Sequence, residues 1–207
     1  RKRQMNTSIS NQTLQTIYAR HSVRQFQDRP VADEMIRTIL DAANQAPSAH
    51  NQQSWRFVVL RDKKRLELAH LVAARANDFP KPSSSILRMA SRCLASAPVV
   101  ISVSNTGSLI AHGSELFNLE HDRTLDFFRT MEIQSSAAAV ENLLLAATSL
   151  GLGSVWLGIL YLLKEEVLAF LGEENGEFMA VIPIGHPKKD QGGPQKKSLE
   201  DVLKEFA

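Results

Sequence analysis

The spacing of apolar residues along this chain predicts six helices. A first helical stripe ends near Arg20, and a second begins at a capping residue, Asp33, and stops before Pro47. The longest apolar run, residues 133–150, leaves almost no polar face, which is typical of a helix buried in a domain centre or a subunit interface. Polar residues interrupt this run, so we do not expect it to span a bilayer. The predicted helices are residues 14–20, 33–46, 63–76, 133–150, 162–171 and 199–206.

Four runs of bulky or β-branched residues predict strands, of which we expect the first to be buried. These runs are residues 55–60, 98–103, 154–157 and 178–184. Because helices of unequal length separate them without a regular βαβ alternation, the pattern favours an α+β fold over a doubly wound sheet. Residues 80–85 are typical of a loop. Residues 105–132 show no clear pattern, and such an insert either covers a pocket or is an ordinary surface excursion.

The composition argues against several classes of protein. With 207 residues, 43% of them hydrophobic, the chain can bury a substantial core, and we expect one domain over residues 11–207 after a disordered arm, residues 1–10. A net charge of +2 gives no broad basic face, so we expect no nucleic-acid partner; binding through the Arg-Lys-Arg of the arm is the weakest alternative. Cys93 is the single cysteine, which excludes an intrachain disulfide, leaves no thiol ligand set for a metal and favours a cytoplasmic protein. We expect no membrane partner, since no apolar stretch has membrane-spanning length.

The densest candidate chemistry lies at residues 20–26, Arg-His-Ser-Val-Arg-Gln-Phe, where the first predicted helix gives way to an extended segment. An Arg guanidinium presents a rigid fork of donors that matches phosphate oxygens, and a Ser hydroxyl adds a short neutral donor. Extended backbone turns alternate side chains to one side, so Arg20, Ser22 and Arg24 can face a single ligand. The alternative is a solvated helix end, since Arg at four-residue spacing often lines an exposed face.

Two further segments carry groups suited to a planar, polar ligand. The loop at residues 46–55 holds Ser, Asn and Gln side chains, and amides that both donate and accept suit imide groups such as those of a flavin pyrimidine ring. The glycines at residues 151–158 let backbone approach a flat ligand, although their spacing is not that of a dinucleotide fold. The plainer alternatives are a self-bonded turn and a helix stop. The lysine run after Gly185-His186-Pro187 is typical of a solvated surface.

Together, these four segments resemble the nitroreductase family of flavin enzymes in order and spacing, over residues 17–203. The resemblance implies a central, mostly antiparallel sheet flanked by helices, and a homodimer with the 133–150 helix at its interface. It also implies FMN bound at that interface, NADH or NADPH as the hydride donor, and a small-molecule acceptor. Ser54 stands where the family usually has Pro, and Lys196 where it usually has Arg. Between residues 77 and 133 no residue can be matched.

The resemblance assigns FMN contacts to residues of all four segments. It implies that Arg20 and Ser22 lie at the phosphate and Arg24 at the pyrimidine edge, with a further contact from His21. The loop would reach a flavin bound mostly by the other subunit, and the backbone around Leu157 would lie against the isoalloxazine. The implied FMN-binding residues are Arg20, His21, Ser22, Arg24, Pro47, Ser48, Asn51, Gln53, Trp156, Leu157, Gly158 and Lys196.

The implied function is an NAD(P)H-dependent FMN oxidoreductase that transfers hydride through the flavin to a nitroaromatic, quinone or similar acceptor by a ping-pong mechanism. Because the cofactor carries the chemistry, we assign no catalytic side chain, and we expect His50, His112 and His121 to be surface or pocket-lining residues. Two alternatives stay open. One is a flavin enzyme of the same fold with another reaction, such as flavin destruction, azoline dehydrogenation or reductive dehalogenation; the other is a flavin- or deazaflavin-binding module without turnover.

Overall fold

The computed structural model of the chain describes residues 11–116, 121–189 and 192–206, and the expected N-terminal arm, residues 1–10, lies outside them. Seven α-helices and four strands are formed by the described residues. The helices are α1 (Gln12–Ala19), α2 (Asp33–Asn44), α3 (Asp62–Arg75), α4 (Ser83–Ser96), α5 (Ser108–Leu116), α6 (His121–Ser149) and α7 (Lys164–Leu171). The strands are β1 (Trp55–Arg61), β2 (Val99–Asn105), β3 (Gly153–Ser154) and β4 (Glu177–Gly185). Short 3-10 helices lie at Ala49–Asn51, Ala76–Asp78 and Gly158–Leu163.

The strands form one antiparallel sheet in the order β1-β2-β4-β3. Side chains alternate along β2 and β4 between the two faces of the sheet. Val100 and Val181 pack into one apolar cluster with α3 and α4, whereas Ile101 and Ile182 pack into a second cluster with α2 and α6. The predicted α+β fold, with an antiparallel sheet flanked by helices, is therefore confirmed.

Helix α6 covers residues 133–149 of the predicted 133–150 helix but begins earlier, at His121. It buries one stripe completely, including Val140 and Leu143, and leaves Glu141 exposed. Gly151 follows with a φ of 74°, the left-handed conformation that ends a helix, as predicted. No helix among the described residues is both long enough and apolar enough to cross a membrane.

The N-cap of one helix and the existence of another differ from the prediction. Helix α2 begins at Asp33 with Ala32 at its N-cap, so Asp33 is not the capping residue; its carboxylate instead pairs with Arg61 Nη2 at 2.7 Å. Helix α4 begins at Ser83, inside the predicted loop of residues 80–85. Its apolar face packs against α3 in the core, which stabilises a helix whose Ser-rich start resembles a turn.

The strands at the two edges of the sheet are more exposed or shorter than predicted. β1 lies at one edge, and Val59 is 38% exposed, so this strand is not fully buried. β3 lies at the other edge and spans Gly153–Ser154, so it shares only Ser154 with the predicted 154–157 strand. The backbone leaves the sheet after Ser154 and enters the 3-10 helix that begins at Gly158.

Two other stretches also differ. Residues 105–132 contain the end of β2, all of α5 and the first part of α6, where the sequence showed no pattern. The predicted helix over residues 199–206 is wrong, because the chain forms a single turn at residues 199–202. Phe206 is 85% exposed. A short amphipathic segment without a surface to pack on does not gain enough to hold a helix.

Candidate functional site

The segment after α1 runs along the free edge of β3 like a further strand. Val23 donates its backbone N–H to Ser154 O at 3.0 Å. Farther along, Gln25 O accepts the backbone N–H of Lys188 at 3.0 Å. These bonds join the segment to the glycine turn on one side and to the residues that follow β4 on the other. Three stretches that are far apart in sequence therefore meet here.

A cleft of about 350 Å³ opens on this segment. Val23 is buried between exposed Ser22 and Arg24, which agrees with the alternation expected of extended backbone. The hydroxyl and the ammonium group in this cleft can donate to the oxygens of a phosphate, and the guanidinium can donate to phosphate oxygens or to ring carbonyl oxygens. The lining residues are His21, Ser22, Val23, Arg24, Gln25 and Lys189.

Arg20 is not among the lining residues and is directed towards α6. Its Nε lies 3.7 Å from Glu141 Oε1, and its side chain is 21% exposed. His21, which does line the cleft, has Nδ1 within 2.9 Å of Ala19 O. Of the predicted phosphate pair, the structure therefore places Ser22 in the cleft and Arg20 beside it.

Two lysines are candidates for a cation that would bind a phosphate group. Lys189 lines the cleft, and sequence reasoning missed it because it belongs to a lysine run typical of a solvated surface. The predicted Lys196 is exposed, on the segment that follows Gly193. That segment passes close to His21, since a Cβ added at Gly193 would stand 2.7 Å from the His21 Cβ. The C-terminal stretch is therefore near the cleft, although Lys196 does not line it.

The amide loop, residues 47–54, is closed by hydrogen bonds within the loop and by one that it donates to α6. Ser48 Oγ accepts the backbone N–H of Gln53 at 3.0 Å, and the Gln53 side-chain amide also donates within the loop. Ser135 Oγ of α6 accepts the backbone N–H of Ala49 at 3.1 Å. The self-bonded turn that was the alternative to a ligand site is thus present. It engages the Ser48 and Gln53 side chains, both of them predicted FMN contacts.

Three residues of the amide loop hold left-handed backbone. The φ values are 52° at His50, 54° at Asn51 and 47° at Gln53. Each such non-glycine residue costs about 1–3 kcal/mol, and strain of this kind persists where surrounding contacts enforce it, often at ligand sites. Pro47 and Asn51 are exposed in this strained loop, so both are accessible to a ligand or to a second subunit.

The glycine turn, residues 151–158, presents backbone rather than side chains. The Leu157 side chain is buried, and its N–H donates to Val181 O at 3.0 Å. A Cβ added at Gly158 would meet no heavy atom within 4 Å beyond its chain neighbours, so this backbone is open to a flat ligand. Trp156 is 36% exposed beside it.

A buried carboxyl group on α6 links α5 to the amide loop, and sequence reasoning missed it. Glu132 is completely buried, and its Oε1 accepts the backbone N–H of Leu109 at 2.8 Å. Burial raises the pKa of Glu132, while the backbone N–H groups of α5 and the proximity of the Ser54 hydroxyl act in the opposite direction. A signal was available, because Glu132, Ser135 and Ser136 recur at helical spacing in an otherwise apolar run.

The amide loop also meets α5 through aromatic rings. The His50 ring centroid lies 5.7 Å from that of His112 and 6.3 Å from that of Phe128, both edge-to-face. Gly113 on α5 leaves space for Phe128, since a Cβ there would stand 2.2 Å from the ring. The stretch without a sequence pattern therefore packs against the loop.

Comparison with known proteins assigns the family. Residues 17–186 match the sequence profile of the nitroreductase family. A protein of Archaeoglobus fulgidus, provisionally named NADH dehydrogenase/NAD(P)H nitroreductase, is 33% identical over 183 residues, which cover 86% of this chain and 87% of that protein. The chain belongs to the nitroreductase family. The family predicted from the four sequence segments is confirmed.

Two other proteins of similar length also resemble this chain. The crystal structure of a provisionally named nitroreductase from Desulfovibrio desulfuricans, in complex with FMN, is 30% identical to this chain. It superposes with a TM-score of 0.72 and covers 96% of this nitroreductase-family chain and 99% of that one. The 5,6-dimethylbenzimidazole synthase of Rhodospirillum rubrum is 28% identical over 188 residues, covering 87% of this chain and 84% of that protein.

Proposed function

We propose that this member of the nitroreductase family is a cytoplasmic, FMN-dependent oxidoreductase. It takes hydride from NADH or NADPH and reduces a nitroaromatic, a quinone or a similar small acceptor. One observation carries the proposal: the cleft with Ser22 and Arg24 is joined, through the Val23–Ser154 hydrogen bond, to a glycine turn with open backbone. A cleft suited to a phosphate beside a surface suited to a flat ring matches the two chemical parts of FMN.

The residues present fit that cofactor. Ser22 and Lys189 would hold the phosphate, with Arg20 or Lys196 completing the charge, and Arg24 would address the pyrimidine edge. Bound FMN would supply the redox chemistry, accepting a hydride from the nicotinamide and giving electrons to the acceptor. The protein contributes position, charge and exclusion of water, so no side-chain acid or base is required. Backbone at residues 157–158 would lie along the ring.

We infer that the active form is a homodimer in which the amide loop of one subunit completes the site of the other. Within one chain the loop is fastened to α6, not to the cleft. The exposed side chains of Ile17 and Tyr18 on α1, at 46% and 37%, are an apolar face available to a second copy. Light scattering coupled to gel filtration should give the mass of two chains.

A mixing experiment tests whether both subunits contribute to each site. Arg24→Ala damages the cleft, and Asn51→Gly removes the loop amide without strain because glycine accepts the left-handed φ of 54°. Each variant alone should have little activity. After subunit exchange, about a quarter of wild-type activity should return, because half of the dimers then carry one undamaged site. No recovery in exchanged heterodimers would contradict a shared site.

Steady-state kinetics test the reaction itself. Oxidation of NADH or NADPH should be slow without an acceptor and should speed up with a nitroaromatic or a quinone. Double-reciprocal plots at several acceptor concentrations should be parallel, since a ping-pong enzyme binds its two substrates in turn. Intersecting lines would contradict the ping-pong order but not the oxidoreductase function. A bound flavin that neither nicotinamide reduces would favour the binding module without turnover.

The similarity to the 5,6-dimethylbenzimidazole synthase supports a second candidate, a different reaction on the same fold. Aerobic incubation with excess reduced FMN distinguishes the two. The oxidoreductase should regenerate oxidised flavin without loss. Irreversible loss of flavin absorbance with formation of 5,6-dimethylbenzimidazole would establish the second candidate instead.

A further inference from the structure

Glu132 occupies the N-terminus of α5 although it belongs to α6. Its Oε1 accepts the Leu109 N–H at 2.8 Å, and the backbone N–H of Ile110 is close enough to help lower the pKa of this carboxyl group. The first turn of a helix has backbone N–H groups without partners inside the helix, and a carboxyl oxygen can accept their hydrogen bonds. Glu132 therefore fixes where α5 begins.

The other side of the same carboxyl group faces the amide loop. Glu132 Oε2 and Ser54 Oγ are both buried, and neither makes a hydrogen bond of normal geometry. The Ser54 hydroxyl is nevertheless close enough to help lower the pKa of Glu132. Ser54 ends the loop, and its carbonyl accepts the backbone N–H of Thr106 at 2.9 Å, just before α5. One buried side chain thus lies between the two elements.

The two elements that Glu132 separates also share a contact. His50 from the amide loop and His112 from α5 place their rings edge-to-face, with centroids 5.7 Å apart. A shift of α5 relative to the loop would therefore change this ring pair directly. An apolar side chain could fill the position of Glu132, and at lower cost, but only a hydrogen-bond acceptor can hold the first N–H groups of α5.

We propose that Glu132 is a positioning residue that sets the spacing between α5 and the amide loop, so that His50 and His112 form one wall for a planar aromatic acceptor. This role rests on the proposed function, because the acceptor is the substrate that meets this wall. Glu132 acts through Leu109 and Ser54 and touches neither substrate nor cofactor. It determines acceptor binding rather than the chemical step.

Kinetics of FMN-loaded variants with 4-nitrobenzoate as the acceptor test the role. In Glu132→Ala, the KM for the acceptor should rise at least about fivefold while kcat changes less than about twofold, since the wall is displaced but the reacting groups are not. Glu132→Gln keeps an acceptor oxygen for Leu109 and should restore the KM to within about twofold of wild type. Asp126→Asn, at an exposed carboxylate on the same helix, is the matched control and should behave as wild type. A loss of kcat with an unchanged KM for the acceptor in Glu132→Ala would overturn the proposal.

A double-mutant cycle tests whether the effect passes through the ring pair. His112→Ala alone should raise the acceptor KM, and adding Glu132→Ala should change it little further, because both remove the same wall. If the two substitutions multiply each other's effects on KM, Glu132 does not act through the ring pair, and the proposal is overturned. If Glu132→Ala fails to fold, Glu132→Asp replaces it, since the shorter side chain keeps the carboxyl group and withdraws the oxygen from Leu109.

Hydrogen exchange separates this proposal from the proposed function. In flavin-free protein, the amides of Leu109 and Ile110 should exchange at least about tenfold faster in Glu132→Ala than in wild type, with α3 amides unchanged. That result would support the positioning role even if no acceptor were reduced. Unchanged protection at both amides would overturn it even in an active enzyme.

Discussion

Val23 donates its backbone N–H to the carbonyl oxygen of Ser154 at 3.0 Å, and this bond joins the cleft segment to the glycine turn. Gly153 makes the approach possible, because a Cβ there would stand 2.7 Å from the Val23 Cβ. Two of the segments proposed to hold FMN are thus held against each other by backbone contact. Their spacing is a property of the fold and precedes any ligand.

Gly153→Ala should push the cleft segment away from the turn. We expect the free energy of unfolding to fall by about 1–3 kcal/mol, as for other overpacked sites, and FMN affinity to fall with it. Gly192→Ala is the matched control, since a Cβ there meets nothing within 4 Å. Urea unfolding and FMN titration of both variants measure the effects. Wild-type stability and affinity in Gly153→Ala would show that the contact does not set the site.

Gly158→Ala should lower FMN affinity without lowering the stability of the flavin-free protein. The protein leaves a Cβ at Gly158 free of contacts within 4 Å, so the free energy of unfolding without flavin should stay within about 0.5 kcal/mol of wild type. If the isoalloxazine lies along this backbone, the added methyl group will collide with it and FMN affinity will fall at least about tenfold. Unchanged FMN affinity would place the ring elsewhere.

Lys189→Ala and Lys196→Ala distinguish the two candidate phosphate cations. Because Lys189 lines the cleft, its loss should reduce FMN affinity by about 10- to 100-fold and leave the affinity for riboflavin, which has no phosphate, nearly unchanged. Lys196→Ala should have the smaller effect. The ratio of the two flavin affinities in each variant is the measurement. A larger loss of FMN affinity in Lys196→Ala than in Lys189→Ala would assign the phosphate contact to Lys196.

Arg20→Ala should also sharply weaken FMN retention, although Arg20 is directed towards Glu141. Arginine can leave an ion pair with an exposed carboxylate at little cost when a phosphate is offered. We expect at least about a tenfold loss of FMN affinity, and none in Arg29→Ala, an exposed arginine of the same stretch. Fluorescence titration with FMN gives both values. A purified Arg20→Ala protein with full yellow colour and unchanged affinity would remove Arg20 from the site.

The stability of the protein should depend on pH through Glu132. Burial raises the pKa of this carboxyl group in the folded chain, so folding favours its protonated form. The stability it contributes is full below the unfolded pKa of about 4.3 and is lost as pH rises through the folded pKa. Glu132→Gln has no ionisable group at this position, so its stability lacks this dependence on pH. The free energy of unfolding of wild type, relative to that of Glu132→Gln, should therefore decrease as pH rises from about 4.3. Urea unfolding of both proteins at several pH values measures this difference. A difference that stays constant or increases with pH would contradict the prediction.

Most helices and strands of the core could be predicted because local spacing determines them. The stripe that buries Leu143 on α6 and the left-handed Gly151 that ends it are visible in the sequence. Helix α4 was missed because its start resembles a loop, and packing against α3 stabilises it. The opposite error occurred at residues 199–206, where an amphipathic pattern has no surface to pack on and Phe206 stays exposed.

The candidate site was predictable as segments but not as an arrangement. Motif spacing identified the cleft segment, the amide loop and the glycine turn. It could not show that Lys189 rather than Lys196 lines the cleft, because that depends on how the residues after β4 return past Gln25. Nor could it show that Glu132 reaches the first N–H groups of α5, since α5 itself had no sequence pattern. Long-range contacts decide both points.

The absorption spectrum of the purified protein, recorded before and after anaerobic addition of NADPH or NADH, tests the central claim most directly. We predict the visible bands of an oxidised flavin at about one FMN per chain, bleached by the nicotinamide and restored by a nitroaromatic or a quinone. A folded, colourless protein that does not bind added FMN would contradict the claim.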